Sequence, residues 1–135
     1  MRIDTFRQAV EGFADLLALD ISVFDAKVQD GLKNGQVQKF EYSTELAWKT
    51  IKKFLFVLDG IDAGTPKSAI KEFYLAGYVR EADYETLLAM IEDRNRLSHV
   101  YRAEEFEKIH GQLKRHTEVM KKVAGVLEEA LGKSA

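Results

Sequence analysis

Apolar residues recur along this chain at three- and four-residue steps, the spacing that draws a stripe down one face of an α-helix. Phe6, Val10, Phe13, Leu17, Ile21, Phe24 and Val28 form the first stripe and predict one long helix, with Asp4 as its N-cap. Asn34-Gly35 reads as a turn. A second stripe, Val37, Phe40, Thr44, Trp48, Ile51, Leu55 and Leu58, should stop at Gly60, a residue suited to the left-handed C-terminal position. Thr65-Pro66 reads as an N-cap followed by the first helical residue. The short helix it opens carries Ile70, Phe73 and Tyr74 and should end at Gly77. A fourth helix is expected from about Asp83 through Tyr84, Leu87, Leu88 and Ile91 towards Arg96. The last stripe is Phe106, Ile109, Leu113, Thr117, Met120, Ala124, Leu127 and Leu131.

No segment alternates with a two-residue period, and the only proline opens a helix. The fold expected is therefore all-α, an up-down bundle of about five helices. The last four residues, Gly132-Lys133-Ser134-Ala135, are expected to fray.

Composition narrows the function. A chain of 135 residues is expected to form one domain over 1–135, burying roughly two thirds of its unfolded surface. It is 46% hydrophobic and 31% charged, and it has no cysteine. That excludes a disulfide framework, a thiolate metal site and a thiol nucleophile. No apolar run approaches the roughly 20 residues of a membrane span, and Met1-Arg2-Ile3-Asp4-Thr5 opens no signal-peptide hydrophobic region. The expected location is the cytoplasm. A net charge of −2 argues against coating nucleic acid by bulk electrostatics, so any such contact has to be local.

The candidate chemistry gathers in Arg94-Asn95-Arg96-Leu97-Ser98-His99-Val100-Tyr101. Three of the chain's seven arginines lie between 94 and 102. Arginine is a fixed cation suited to phosphate, and histidine moves a proton near neutral pH, so together they can cut a phosphodiester without a metal. The competing reading is structural: Arg94 and Arg96 pair with Glu92 and Asp93, and His99 caps the helix. Arg94 and His99 are five residues apart, a rotation of about 140° beyond a full turn on an ideal helix. Either the helix breaks near Ser98, or two copies of the chain share the site across a two-fold axis.

Other constellations are plainer. Glu41, Glu45 and Lys49 have the four-residue spacing of ordinary helix support. Lys49, Lys52 and Lys53 make a small basic face, either solvated or a dock for an acidic partner. Trp48 is assigned to the core. His110 and His116 are assigned to the surface, since no second histidine or carboxylate stands at metal-ligand spacing. No metal and no cofactor is expected.

Two segments carry a family resemblance. Val37-Gln38-Lys39-Phe40-Glu41-Tyr42-Ser43-Thr44-Glu45-Leu46-Ala47-Trp48-Lys49-Thr50 resembles the second helix of the nucleotidyltransferase substrate-binding protein-like family. Thr65-Pro66 and the helix to Gly77 resemble its next element, and Glu92 to Tyr101 resembles its signature. The resemblance covers about residues 5 to 130, within the wider HEPN superfamily of small helical bundles. It implies a homodimer with an R-x4–6-H motif lining the interface cleft, where active members cut RNA without metal. It also implies a partner, a minimal nucleotidyltransferase encoded alongside. In some such pairs that partner silences a toxin by adding AMP to the motif tyrosine. The matching positions are Arg94, His99 and Tyr101. Asn95 fits a usual polar position, and Arg102 stands where relatives often carry an acid.

Two functions follow as expectations. In the first, the chain is a metal-independent ribonuclease toxin. His99 acts as general base or acid at the 2′-hydroxyl or leaving oxygen, Arg94 holds the phosphate, and Asn95 and Arg96 support it. In the alternative, it is the non-catalytic subunit that holds nucleotide or substrate for the nucleotidyltransferase, with Arg94 and His99 as phosphate ligands and Tyr101 open to modification.

Overall fold

A computed structural model describes residues 1–99 and 102–134, with side chains through 132. Its helices are α1 (Asp4–Ala18), a 3-10 turn (Ile21–Val23), α2 (Ala26–Asp59), α3 (Pro66–Leu75), α4 (Glu81–Leu97), α5 (Ala103–His110) and α6 (Leu113–Ser134). Among the described residues there is no strand, and the fold is an all-α bundle.

The centre of the bundle is α2. Its 34 residues reach about 50 Å at 1.5 Å per residue, and α1, α3, α4, α5 and α6 all pack on it. Phe6 and Phe13 from α1 meet Phe40, Ile51, Phe54 and Leu55 from α2 in one buried core. Ile70 and Phe73 of α3, Leu87, Met90 and Ile91 of α4, and Leu113, Met120, Val123 and Leu127 of α6 complete it. Each element's stripe points inward, and apolar burial at roughly 25 cal/mol per Å² is what holds the helices together.

Local chemistry fixes several boundaries as the sequence predicts. Gly60 takes a left-handed φ of 67° after α2, and the Ile61 N–H donates back to the Leu55 carbonyl at 3.1 Å. Thr65 and Ser68 form a reciprocal capping box, each side chain accepting from the other's backbone N–H at 3.1 and 2.9 Å. Gly77, at φ 88°, turns the chain towards α4.

Three expectations for the first sixty residues need correction. The first stripe is not one helix. Asp20 accepts from the Ser22 N–H at 3.1 Å and Asp25 from the Val28 N–H at 3.0 Å. Those side chains offer the backbone an alternative to helical pairing, so α1 stops at Ala18 and α2 starts afresh. Val23, Phe24 and Val28, within or beside the stripe, lie exposed. Asn34-Gly35 is not a turn but lies inside α2, where Asn34 Nδ2 donates to the Asp30 carbonyl at 2.8 Å. Asp4 is the first residue of α1 rather than its cap, and it pairs with Arg2 and Arg7.

The last stripe also divides, at Gly111-Gln112, into α5 and α6. Ile109 and Leu113 are buried on either side, so the apolar face carries on across the break. The described residues thus hold six α-helices and one 3-10 turn where about five helices are expected.

Gly35 offers a direct check on α2. A Cβ there would meet the Leu16 side chain at an ordinary 3.7 Å. Gly35→Ala should therefore stabilise the protein by about 0.5–1 kcal/mol, because glycine is a poor helix former. A true turn at this position would make the same change destabilising in a urea unfolding curve.

Candidate functional site

The signature sits at the C-terminal end of α4. Ser98 N–H donates to the Asn95 carbonyl at 3.3 Å and His99 N–H to the Arg96 carbonyl at 2.9 Å. These three-residue steps tighten the last turn and finish the helix at Leu97. Of the two alternatives the spacing left open, a break near Ser98 is the one present, so the rotation between Arg94 and His99 does not by itself call for a second chain. Tyr101 lies outside the described residues.

The two motif arginines go separate ways. Arg94 is half-buried and binds Glu45 of α2, 49 positions earlier. Glu45 also takes Lys49 at 3.2 Å. Burial pulls the Glu45 carboxyl up, but Lys49, Trp48 and Arg94 together outweigh it and hold it below the usual carboxylate range. Arg94 therefore pairs with Glu45 rather than with neighbouring Glu92, which faces Lys67 at 3.6 Å. Arg96 does pair locally, with Asp93 at 3.0 Å, while most of its side chain stays in solvent. Asn95 and His99 are exposed. Among the described residues no hydrogen bond or ion pair joins Arg94 to His99.

Behind Arg96 lies a buried polar pair. Asp93 is buried, and its second oxygen takes His116 Nε2 of α6 at 2.7 Å. His116 is wholly buried, against the expectation of a surface residue. Its ring stacks on Phe40 of α2 with centroids 5.3 Å apart. Burial pushes the imidazole pKa down, Asp93 pulls the other way and Arg115 adds to the depression, with the net result below the ordinary 6.5. Since a carboxylate can only accept, neutral His116 carries its proton on Nε2. Its Nδ1 is buried without a partner. That is tolerable for a bare acceptor and costly for the N–H of a protonated ring.

The sequence carried a signal for this pair. Asp93 is three residues after Met90 and His116 three after Leu113, so both stand on core faces. A buried acid on one helix and a buried histidine on another are natural partners. The other histidine is also drawn in. His110 is half-buried and meets Gln36 Oε1 at 2.6 Å, with burial and Lys33 depressing its pKa. Trp48 is partly buried against the core, as expected.

Beside Arg96 opens a cleft of about 300 Å³ between α4, α5 and the start of α6. Ala89, Asp93, Arg96, Glu105, Lys108, Ile109, Gln112 and Arg115 line it. Among the described residues no cluster of three or more His, Cys, Asp or Glu could hold a metal ion, and no helix is long and apolar enough to cross a membrane.

This geometry can be set beside known proteins. The sequence model of the family described as "Nucleotidyltransferase substrate binding protein like" matches residues 1–129. The chain belongs to that family. Its fold is shared by a protein of Thermus thermophilus, at TM-score 0.80 and 24% identity, covering 90% of this chain and 98% of the other. A Haemophilus influenzae protein gives TM-score 0.80 and 23% identity, covering 94% of this chain and 99% of its own. That structure is described as revealing the fold of a substrate binding domain of a nucleotidyltransferase. No curated protein matches the chain. Family and fold thus agree with the resemblance read from Val37–Thr50 and Glu92–Tyr101.

Proposed function

We propose that this chain is the non-catalytic, substrate-holding subunit of a nucleotidyltransferase and binds the substrate's anionic part at the end of α4. Family membership supports a nucleotidyltransferase as the partner. The observation that carries the choice of binding over cleavage is the fate of Arg94. The cleavage reading puts Arg94 and His99 at one phosphate. Here Arg94 is turned into the bundle and neutralised by Glu45, while His99 sits past the helix end. Arg96 and Asn95 are the motif residues that face solvent, and with His99 they make a polar edge suited to holding a ligand. Tyr101, two residues on, is the position where the partner would deliver AMP. A homodimer belongs to this reading on the strength of the resemblance.

Calorimetric titration of ATP into the purified chain tests the proposal. Saturable binding is expected, weakened about 10- to 100-fold by Arg96→Ala, the worth of one or two hydrogen bonds to a charged group. Absence of saturable heat at millimolar ATP would count against it.

A further inference from the structure

We infer that the cleft between α4, α5 and α6 is a phosphoryl-binding subsite that takes the terminal phosphates of a nucleotide. This rests on the substrate-holding reading above. Three cations border the cleft, Arg96 from α4, Lys108 from α5 and Arg115 from α6. Among the described residues neither Lys108 nor Arg115 has an ion-pair partner; Arg115 donates only to the Thr86 hydroxyl, at 3.1 Å. Against them stand Glu105 and Asp93, and Asp93 is already engaged by Arg96 and His116. The cleft therefore keeps an excess of positive charge on a protein whose net charge is −2. A concave site bordered by arginine forks suits a doubly charged phosphate oxygen set better than a single carboxylate.

Size selects the part of the ligand. At about 300 Å³ the cleft sits at the bottom of the range for small-molecule sites. It admits a phosphate tail and leaves the nucleoside outside. The cleft also has a built wall. Asp93 is anchored from behind by His116, which is locked by stacking on Phe40. Asp93 in turn grips Arg96 at 3.0 Å, so the guanidinium is aimed by a buried acid rather than left to wander. Asp93 and His116 act here as positioning residues.

The test measures binding of ATP and inorganic tripolyphosphate to the full chain and to Lys108→Ala, Arg115→Ala and Asp93→Asn, each checked for native helicity. An RNA oligonucleotide without terminal phosphate provides the diester control. Losses of about tenfold or more for both phosphate probes in Lys108→Ala and Arg115→Ala support the subsite. Asp93→Asn discriminates by sign. Removing a negative charge should tighten anion binding if electrostatics alone matter, and weaken it if Asp93 positions Arg96. Tighter binding overturns the positioning role. Native affinity in both cation variants overturns the subsite and leaves the substrate-holding function standing. RNA binding stronger than ATP binding and lost in the same variants overturns the terminal-phosphate assignment. A native chain that binds neither phosphate probe overturns subsite and function together.

Discussion

His116→Ala should destabilise the protein by about 3–5 kcal/mol, in the range of a large buried side chain cut to alanine plus a lost hydrogen bond to a charged group. The ring is fully buried between Phe40 and Asp93, so its removal opens a cavity in the centre of the bundle. It also leaves Asp93 with Arg96 as its remaining partner on that side. Thermal unfolding followed by circular dichroism reads the effect as a large drop in Tm. The same residue gives stability a pH dependence. Its folded pKa lies below the unfolded value of about 6.5, so the unfolded chain takes the proton first. Stability is therefore full above that value, falls as the pH drops from about 6.5 towards the folded pKa, and levels off below it. In His116→Ala this slope should shrink but not vanish, because His110 is depressed too. An unchanged slope would mean that His116 is not the buried neutral group described.

Phe40→Ala should be comparably severe, also about 3–5 kcal/mol. Phe40 is wholly buried, lies 6.2 Å from the Phe13 ring of α1 and stacks on His116 of α6. One side chain of α2 thus ties the first and last helices to the centre. Because Phe40 and His116 touch, their losses should not add. A double-mutant cycle is expected to return a coupling of about 0.5–3 kcal/mol. Strict additivity in urea unfolding would show that the stacked contact carries no energy of its own.

What could be read from the sequence divides by range. Gly60, Thr65-Pro66 and Gly77 act through their own backbone and a few neighbours, and each appears where the sequence puts it. The apolar stripes placed Phe13, Phe40, Phe73, Leu87 and Leu127 in the core correctly. The first loop was lost because Ile21, Phe24 and Val28 keep helical spacing while Asp20 and Asp25 cap the backbone across them. Asn34-Gly35 misled in the opposite direction, since tertiary packing of α1 on α2 overrides a local turn preference.

The site shows the same divide. The motif was visible in the letters, and the break after Leu97 was one of the two arrangements its spacing left open. The Arg94–Glu45 pair joins residues 49 positions apart and the Asp93–His116 pair residues 23 apart. Spacing along one helix could not reveal either. These pairs change the functional weighting. The letters alone place a ribonuclease first and a substrate-binding subunit second. The family match, and an arginine committed to Glu45, favour the second.

The most direct test is to incubate RNA with the purified chain in excess chelator, beside His99→Ala, after mass spectrometry shows Tyr101 unmodified. The substrate-holding account expects both proteins to leave the RNA intact to the same degree. Cleavage by the native chain alone, ending in a 2′,3′-cyclic phosphate and sparing DNA, would contradict it and make His99 catalytic.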